Sequence, residues 1–560
     1  MSNSTISFQP HHLPWGSQSH DFYSFSAFLV SFHSTLVLVL LFAPLFLVKL
    51  RGFATNSCSS NQLANLPPGP TPWPVIGNLP EMWNNNKPVF RWIHGIMKQL
   101  DTEIACIRLG NTHVIPVISP ELAREFLKTH DSIFASRPIS MATEYASRGF
   151  LTTALVPLGD QWKKMRKMVV SHLISPAKLS RCLHKRTQEA DNLVRFIYNQ
   201  CINSKNNYAL PNGSVIDLRL ATRQYTGNVM RKIIFGKRYF GKGKEDGGPG
   251  QEEEEHVNFV FEVLNHLYSF ALSDYVSWLR PLDLEGHRKM VSEALRIVNG
   301  YHDPIIDERV KQWKQGTRKE PEDLLDAFIT AKDSNGKPAL SVEEIKGQCM
   351  ELMMAGVDNP ANAAEWAMAE ILNQPEILQK ATMEIDTIVG KDRWVQEDDV
   401  PKLNYLKAAA RESFRLHPIA PFNVPHVSTV DATVAGYFIP KGSHVLLSRL
   451  GLGRNPRVWE NPLKFDPERH LKDGSKVDLT ESELRFISFS TGRRGCPGVA
   501  LGSEMTIMLL ARLIQGFTWK VPPTESKIDL SESENDLFLA KPLHAFAQPR
   551  LSPSAYSNLC

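Results

Sequence analysis

The chain has 560 residues, 42% of them hydrophobic and 22% charged, so it is long enough to bury a large core. Its formal net charge of +4 is too small to indicate a nucleic-acid partner. The seven cysteines are scattered, without a Cys-x-x-Cys pair or any other paired spacing. This argues against a zinc site and a disulfide framework, and it is typical of a protein body in a reducing compartment.

The N-terminal region is predicted to anchor the chain in a membrane. The first 48 residues contain no Lys or Arg, and an apolar run over 25–50 has the length of one membrane-spanning helix. Lys49 and Arg51 lie at its end, so the positive-inside rule places residues 1–24 in the lumen and the rest of the chain in the cytosol. A cleaved signal peptide is the alternative, but its basic flank would precede the apolar run. We favour an uncleaved, single-pass anchor.

Residues 51–80 form a predicted linker that is polar at first and then rich in proline. Five prolines lie within 67–74, and they exclude a helix interior and a central strand, so we expect a stiff, extended spacer. From 81 to 560 the pattern is mostly helical with short strands and without internal repeats. It predicts one domain over 81–560 that is mainly α, with a small β-rich part. A β-hairpin is predicted over 104–118, with its turn at Gly110.

Two charged stretches follow. A helix is predicted to begin at Gly159, with Trp162 and Arg166 on one face because they are four residues apart. Three lysines of this helix suit an acidic partner, and an ordinary solvated face is the alternative; these are Lys163, Lys164 and Lys167. The stretch 241–255 is rich in glycine and then in glutamate, and we interpret it as a solvent-exposed loop without chemistry.

One cysteine, Cys496, lies in a basic, glycine-rich loop that leads into an apolar helical stretch. A thiolate is the soft anionic donor that haem iron accepts as an axial ligand, and a helix N-terminus favours the thiolate. Phe489 is placed to shield the sulfur, Arg494 to pair with a haem propionate, and Gly498 to let the backbone approach a flat macrocycle. An ordinary buried cysteine is the alternative, which this spacing of Phe, Gly, Arg, Cys and Gly disfavours.

The Phe-x-x-Gly-x-Arg-x-Cys-x-Gly pattern resembles that of the cytochromes P-450, which are haem-thiolate monooxygenases. The resemblance implies the cytochrome P-450 fold and haem b, with Cys496 as the axial iron ligand. It implies that electrons arrive from NADPH through a membrane-bound cytochrome P-450 reductase. It also implies that Trp162 and Arg166 bind one haem propionate, and it places His426 where the family has a basic residue near the other.

A second family motif is structural. Glu412 and Arg415 are three residues apart, and in the family such a pair locks with a later arginine, which is Arg469 here. The resemblance implies that this ion triad holds the loop that carries the thiolate and takes no part in catalysis. The arginine motif ends in His470, where the family commonly has an aromatic residue.

The apolar helical stretch over 347–372 departs from the family pattern. The family has Ala/Gly-Gly-x-Asp/Glu-Thr here, in which small residues leave room for dioxygen and the acid and hydroxyl relay protons. Gly356 and Asp358 match, but Asn359 replaces the threonine and Pro360 follows. Proline leaves the Gly356 carbonyl without its helical donor, and an amide cannot transfer a proton as a hydroxyl does. We assign catalytic roles to Gly356, Asp358 and Asn359; a purely structural kink is the alternative.

Three departures together narrow the family: Asp358-Asn359-Pro360, His470, and the Ser before Phe489. They resemble the plant amino-acid N-monooxygenases, the aldoxime-forming branch. The resemblance spans about 66–551 and implies that an L-amino acid is hydroxylated twice on nitrogen, then loses water and carbon dioxide. It also implies an endoplasmic reticulum membrane location and a role in cyanogenic glycoside or nitrile defence. Possible pathway partners are an aldoxime-metabolising cytochrome P-450 and a glucosyltransferase.

The substrate pocket is expected to be apolar. By family analogy it is lined by 141–155, 347–372, 419–424 and 536–541. Phe150, Phe422 and Phe538 in these segments favour L-phenylalanine, and a site for L-valine or L-isoleucine would look much the same. Arg148 is a candidate for binding the substrate carboxylate, with a solvated arginine as the alternative.

Three other classes of function are compatible with the haem loop. A carbon-hydroxylating plant cytochrome P-450 needs an ordinary proton relay, which Asn359 and Pro360 disfavour. A haem-thiolate isomerase or dehydratase that acts on a peroxide needs no reductase, so NADPH dependence separates it. A non-catalytic haem sensor would consume no NADPH in response to a substrate.

Overall fold

Helices make up most of the chain that the computed structural model describes, which comprises residues 65–203, 213–471, 474 and 476–559. The α-helices are α1 (Leu79–Trp83), α2 (Val89–Gln99), α3 (Pro120–Arg124), α4 (Met141–Ala146), α5 (Asp160–Val169), α6 (Pro176–Arg181), α7 (Leu183–Ile202), α8 (Leu218–Phe235), α9 (Gln251–Leu267), α10 (Leu272–Tyr275), α11 (His287–Gln315), α12 (Leu324–Thr330), α13 (Val342–Leu372), α14 (Pro375–Ile388), α15 (Asn404–Leu416), α16 (Arg449–Gly453), α17 (Val499–Gly516) and α18 (Pro553–Ser557).

The strands are short: β1 (Ile107–Leu109), β2 (Thr112–Val117), β3 (Ser214–Asp217), β4 (His426–Val427), β5 (Ala432–Val434), β6 (Tyr437–Ile439), β7 (His444–Leu447), β8 (Phe517–Lys520) and β9 (His544–Pro549). The prediction of a mainly α domain with a small β-rich part is confirmed. The predicted tail over 1–24 and anchor over 25–50 lie outside the described residues. Residues 65–78 of the predicted linker form no helix, but they are not a free spacer, because they belong to the same compact unit as the rest of the described chain. The Cys106 N–H donates to the Pro68 carbonyl oxygen over 2.9 Å, and α1 already begins at Leu79.

The longest helix, α13, forms the centre of the core. Ser341 and Glu344 begin it with a capping box, in which each side chain accepts a hydrogen bond from the other residue's main-chain N–H. Most of its side chains are buried on every face because α8, α15 and α17 pack around it. Trp366, for example, is fully buried and stacks on His417 with ring centroids 3.8 Å apart. The helix continues through Pro360 without a break.

Strands distant in sequence pair with one another. One sheet has the order β1-β2-β7-β4, and its β2–β7 pair is parallel, with Val114 opposite His444. A second sheet, β3-β9-β8, is antiparallel, and β5 pairs with β6. β1 and β2 form the predicted hairpin, and Gly110 at its turn takes a φ of 57°.

Residues 241–247 form a largely exposed loop, as interpreted, but the glutamates of the stretch 241–255 do not, so that part of the interpretation was wrong. Residues 248–250 are buried, and the glutamates form the first turn of α9, where the helix dipole favours negative charge. Glu253 is buried and accepts hydrogen bonds from the main-chain N–H groups of Phe240 and Gly250 over 2.6 and 3.1 Å. The sequence alone hid this because the carboxylate is satisfied by main-chain groups.

Among the described helices, α17 alone is long and apolar enough to cross a membrane. It is 72% buried in the protein and follows the cysteine loop, so it is a core helix.

Candidate active site

The cysteine loop folds as the sequence predicts, with its thiol at the start of a helix. α17 begins just after Cys496, whose N–H donates to the Phe489 carbonyl oxygen over 2.8 Å. The Gly498 N–H donates to the Cys496 Sγ over 3.3 Å. Gly492 has a φ of 72°, and a Cβ there would lie 2.4 Å from the Leu127 carbonyl oxygen, so only glycine fits. The loop therefore presents the sulfur in a fixed position.

The protonation of this thiol depends on what binds it. Burial raises the pKa of Cys496, and the Gly498 N–H and the charges of Arg449 and Arg166 act in the opposite direction. A metal ion deprotonates a coordinating thiol outright. Arg449 and Arg166 would stabilise the thiolate if Cys496 ligates such an ion.

Phe489 lies between two helices beside the cysteine. Its ring packs edge to face on Phe414 of α15, with centroids 5.8 Å apart. A Cβ on Gly502 of α17 would lie 3.3 Å from the ring, so the contact is close on both sides. The packing fixes the ring, and its role in shielding the sulfur from water stays a prediction.

Three of the predicted haem-binding side chains meet on one side of the loop. On α5, Arg166 Nη1 donates to the Gly495 carbonyl oxygen over 3.1 Å, and its guanidinium carbon lies 5.9 Å from the centre of the Trp162 ring. The guanidinium carbon of Arg494 lies 4.7 Å from the same ring. Arg494 also donates to three main-chain carbonyl oxygens, those of Ala135, Thr153 and Val156.

The guanidinium groups around the loop fit a dianionic cofactor. Within the described residues, no Asp or Glu oxygen lies within 4.0 Å of Arg166, Arg494, Arg137 or Arg449. Burial lowers the pKa of Arg494 to about 9 and that of Arg137 and Arg449 to about 10. The Trp162 Nε1 is buried without a hydrogen-bond partner. Unpaired buried cations are costly, and the two propionates of haem b are the anions that Arg137, Arg166 and Arg494 would pair with.

His426 lies in the same region in a neutral form. Burial and the charges of Arg137 and Arg494 lower its pKa to about 3. Its Nδ1 lies 2.7 Å from the Phe134 carbonyl oxygen, to which it donates. The fixed positive charge on this side therefore comes from Arg137, which the sequence analysis did not assign. A contact between His426 and a propionate stays a prediction.

The structure brings the predicted ion triad together and adds a fourth member. Glu412 Oε1 lies 2.7 Å from Arg415 Nη2 and 2.8 Å from Arg469 Nε, and it accepts from the Asp466 N–H over 3.0 Å. Glu412 Oε2 lies 2.8 Å from Arg415 Nε and 2.8 Å from His470 Nε2. His470 thus replaces the usual aromatic residue with a hydrogen-bond partner of the buried carboxylate.

Asp358 and Asn359 project from α13 in different environments. Asn359 is half-buried, and its Nδ2 donates to the Ala355 carbonyl oxygen over 2.9 Å. Asp358 is 7% exposed, and its Oδ1 has no hydrogen-bond partner. Burial raises the pKa of Asp358 to about 7, against the opposing charges of Arg223 and Arg449. A carboxyl group with this pKa exchanges protons near neutral pH, as a proton relay requires.

The absent side chain of Gly356 has a different role from the one expected. A Cβ at this position would lie 2.4 Å from the Met230 Sδ, so Met230 of α8 fills the space. Gly356 therefore permits close packing of α8 on α13, and that space is not room for dioxygen. Ala355, one residue earlier, is the exposed small residue of this turn. A catalytic role for the Gly356 carbonyl stays a prediction.

Glu351 is a buried acid of α13 that the sequence analysis missed. It accepts hydrogen bonds from the main-chain N–H groups of Thr153, Ala154 and Leu155 over 2.9 to 3.3 Å. These contacts hold the loop before α5 against α13. An acid flanked by apolar residues in a predicted core helix was the signal that could have revealed it.

Arg148 is not available to bind a substrate carboxylate, so that suggestion was wrong. Its Nη2 lies 2.6 Å from Asp303 Oδ2, and its Nη1 lies 2.8 Å from Glu343 Oε2. Two carboxylates already neutralise the guanidinium, which links α4 to α11 and α13.

A thiol fixed at a helix start, beside cations that lack counter-ions, has the donor set of a haem-thiolate protein. The family model described as Cytochrome P450 matches residues 67–547. The chain belongs to the cytochrome P450 family, as predicted, and its members carry haem iron and take electrons from a redox partner.

Curated relatives match along nearly their whole length. Phenylalanine N-monooxygenase of Arabidopsis thaliana is 64% identical over 503 residues, which are 90% of this chain and 94% of the relative. Isoleucine N-monooxygenase 1 of Lotus japonicus is 56% identical, covering 90% and 93% of the two chains. Valine N-monooxygenase 1 of Manihot esculenta is also 56% identical, covering 92% and 94%.

Proposed function

We propose that this protein is an amino-acid N-monooxygenase that converts L-phenylalanine to (E)-phenylacetaldoxime. Each of two N-hydroxylations uses one O2, one NADPH and one proton, places one oxygen atom on nitrogen and releases the other as water. Loss of a further water and of carbon dioxide gives the aldoxime. L-valine or L-isoleucine is the alternative substrate, and carbon hydroxylation is the alternative reaction.

The observation that carries this proposal lies in α13, which we call the oxygen helix because the family pattern for oxygen activation falls within it. Asp358, Asn359 and Pro360 stand where the family pattern has an acid and a threonine, in a chain 64% identical to a phenylalanine N-monooxygenase. Phe538 packs edge to face on Phe261, with centroids 5.9 Å apart, in a segment expected to line the pocket. Aromatic surface of this kind supports an apolar substrate side chain.

The geometry of the site supports a different role for each group of residues. Bound haem, ligated by Cys496, supplies the activation of O2 and the transfer of oxygen. Arg137, Arg166, Arg494 and the Trp162 N–H would hold its propionates. Asp358, which belongs to this helix, delivers or accepts protons. Asn359 keeps its amide on the Ala355 carbonyl, so it orients its surroundings without itself relaying a proton.

Replacing Asn359 by threonine is expected to lower the aldoxime formed per NADPH consumed by roughly 10-fold, because it restores a hydroxyl relay. Threonine can donate to the carbonyl four residues earlier in a helix, so it keeps the contact with Ala355. The measurement compares NADPH consumption with aldoxime yield, with the reduced carbonyl spectrum as a check on folding. An unchanged ratio would mean that Asn359 is only structural.

The electron donor in this proposal is the NADPH–cytochrome P-450 reductase. Lys167 of α5 is exposed and forms no ion pair within the described residues. Lys163, Lys164 and Arg493 are less available, because they lie 3.0, 2.7 and 2.8 Å from Asp160 Oδ1, Glu344 Oε1 and Asp131 Oδ2. Positive side chains beside the thiol support docking of an acidic protein, which shortens the path of the electron.

The location in this proposal is the endoplasmic reticulum membrane. Residues 1–24 are lumenal, 25–50 span the bilayer, 51–80 are the linker, and 81–560 form the cytosolic catalytic domain. The catalytic domain also exposes Trp278, Leu282 and Leu284 by 72%, 61% and 61%, which supports contact with a membrane surface. The product would serve cyanogenic glycoside or nitrile defence, with an aldoxime-metabolising cytochrome P-450 and a glucosyltransferase as pathway partners.

The experiment that tests the function uses microsomes with this protein, its reductase and NADPH. Phe, Tyr, Trp, Val, Ile, Leu and Met are supplied separately, and the matching aldoximes are assayed. We expect NADPH-dependent phenylacetaldoxime from L-phenylalanine. Aldoxime from valine or isoleucine alone would move the substrate to the alternative. No aldoxime from any of these, with an intact reduced carbonyl spectrum, would reject them as substrates and leave carbon hydroxylation as the next candidate.

A further inference from the structure

Arg449 is a buried cation with few partners. It is the first residue of α16, and it is 9% exposed. Its Nη2 donates to Asn423 Oδ1 over 3.2 Å, and its Nε has no hydrogen-bond partner. By contrast, Arg137 and Arg494 each donate to three main-chain carbonyl oxygens. Arg449 therefore retains unused donors.

Other buried arginines of the described chain show what normally satisfies such a group. Arg415 lies 2.7 Å from Glu412, and Arg186 lies 2.6 Å from Glu397. Such pairs offset the cost of burying charge, and the carbonyl oxygens around Arg137 and Arg494 do so in part. Arg449 has neither arrangement among the described residues, so an anion from outside the chain would complete its contacts.

A neighbouring amide fixes the direction of this guanidinium. Asn423 is 4% exposed, and its Nδ2 donates to Ser490 Oγ over 3.1 Å. Ser490 follows Phe489 in the cysteine loop. Asn423 thus links Arg449 to the loop that carries Cys496, and it lies in the segment 419–424 that was expected to line the substrate pocket.

An acid of the oxygen helix lies within reach of the same charge. Arg449 is near enough to both Asp358 and Cys496 for its charge to influence both groups, yet it forms no ion pair with Asp358 at 4.0 Å or less. Asp358 Oδ1 is itself without a partner. A guanidinium group and a carboxyl group are thus both buried and incompletely satisfied, and they do not pair with each other.

We propose that Arg449, oriented by Asn423, binds the α-carboxylate of the amino-acid substrate, whose ammonium group then lies toward Asp358 and Asn359. This inference rests on the proposed function. It directs the substrate nitrogen to the oxygen helix, where N-hydroxylation takes place. A haem propionate is the other source of a carboxylate, and the experiment separates the two.

The test is a binding titration of the haem-loaded, full-length protein, followed by the haem absorption spectrum without NADPH. The ligands are the amino acid that gives aldoxime, expected to be L-phenylalanine, and its amide, which keeps the ammonium group but lacks the negative charge. In Arg449→Gln we expect the dissociation constant of the amino acid to rise roughly 10- to 100-fold, because a charge-assisted contact is lost. That of the amide should change less than about threefold. Haem content and the reduced carbonyl spectrum should stay as in the unmodified protein.

Two variants complete the design. Arg148→Gln removes a guanidinium that is already paired, and it should leave both dissociation constants unchanged. Asn423→Leu removes the orienting amide, and it should weaken binding of the amino acid more than binding of the amide. Only haem-loaded protein gives a signal, so the ratio of the two constants does not depend on the folded fraction. If Arg449→Gln yields no haem-loaded protein, Asn423→Leu decides in its place.

Several outcomes would overturn the assignment. A lowered haem content of Arg449→Gln, with an unchanged ratio of the two dissociation constants in the fraction that still holds haem, would assign Arg449 to a propionate. An equal change for amino acid and amide, or no change for either, would remove Arg449 from carboxylate binding while leaving the proposed function intact. If the unmodified protein responds to no amino acid, the proposed function fails first and the inference fails with it.

Discussion

Replacing Cys496 by serine is expected to abolish turnover. A hydroxyl is a harder and far less acidic donor than a thiol, and the fixed loop cannot offer the iron another sulfur. The loss should exceed the roughly 10- to 100-fold that removal of an outer partner of a metal ligand costs. Aldoxime formation and the reduced carbonyl spectrum of purified protein are the measurements. Aldoxime formation should cease, and the reduced carbonyl spectrum should lose the band that depends on the thiolate.

A matched control separates ligation from packing. Cys182 is half-buried at the start of α7, and Cys182→Ser should keep activity, haem content and the carbonyl spectrum. Normal aldoxime formation by Cys496→Ser would refute axial ligation by this residue. Loss of all three signals in both variants would point to a general sensitivity of the fold to cysteine replacement.

Replacing Glu412 by glutamine is expected to be the most destabilising of the substitutions considered. The carboxylate is fully buried and serves Arg415, Arg469 and His470 at once. Removal of its charge leaves two buried guanidinium groups without a counter-ion, which costs roughly 3 to 5 kcal/mol. Denaturant unfolding of the haem-loaded protein, followed by the haem absorption, measures this change in the free energy of unfolding.

The same carboxylate makes stability depend on pH. Its contacts with Arg415 and His470 hold the pKa of Glu412 down at about 2, below the ordinary value of 4.5. A lowered pKa in the folded state contributes stability above pH 4.5, and this contribution is lost as the pH falls toward 2. The contribution is on the order of 3 kcal/mol, and it should be absent in Glu412→Gln.

An exposed acid on the neighbouring helix serves as the control. Glu376 lies in the first turn of α14, and Glu376→Gln should change the free energy of unfolding by less than about 0.5 kcal/mol. Equal stability of Glu412→Gln and the unmodified protein would show that the ion cluster does not hold the cysteine loop. If the ion cluster holds the cysteine loop, haem retention in Glu412→Gln should fall in parallel with the free energy of unfolding.

Local patterns predicted the parts of the site that lie on one element. The cysteine loop, the Trp162–Arg166 face and the apolar course of α13 each depend on spacing within a short stretch, and the structure has all three. The hairpin at Gly110 was predictable for the same reason. Patterns of this kind are read from sequence because the contacts that they imply are between near neighbours.

The remaining parts depend on contacts between distant segments. Arg148 looked free in the sequence, but Asp303 and Glu343 neutralise it in the fold. Arg449 was not assigned from the sequence, because its burial and its missing partners only became visible in the structure. Glu253 belonged to a run of glutamates that resembled a solvent loop, yet main-chain N–H groups hold it inside.

The parallel pairing of β2 with β7 has a consequence for how the chain is made. The ribosome releases Val114 long before its partner His444, and at roughly 5 to 20 residues per second the wait is on the order of tens of seconds. β3 is likewise synthesised long before its pairing partner β9, which begins at His544. During synthesis these apolar edges are bare and prone to pair with other chains. A chain that ends before residue 544 would lack β9, so we expect it to be bound by chaperones and degraded by proteases. It would not be a shorter active enzyme.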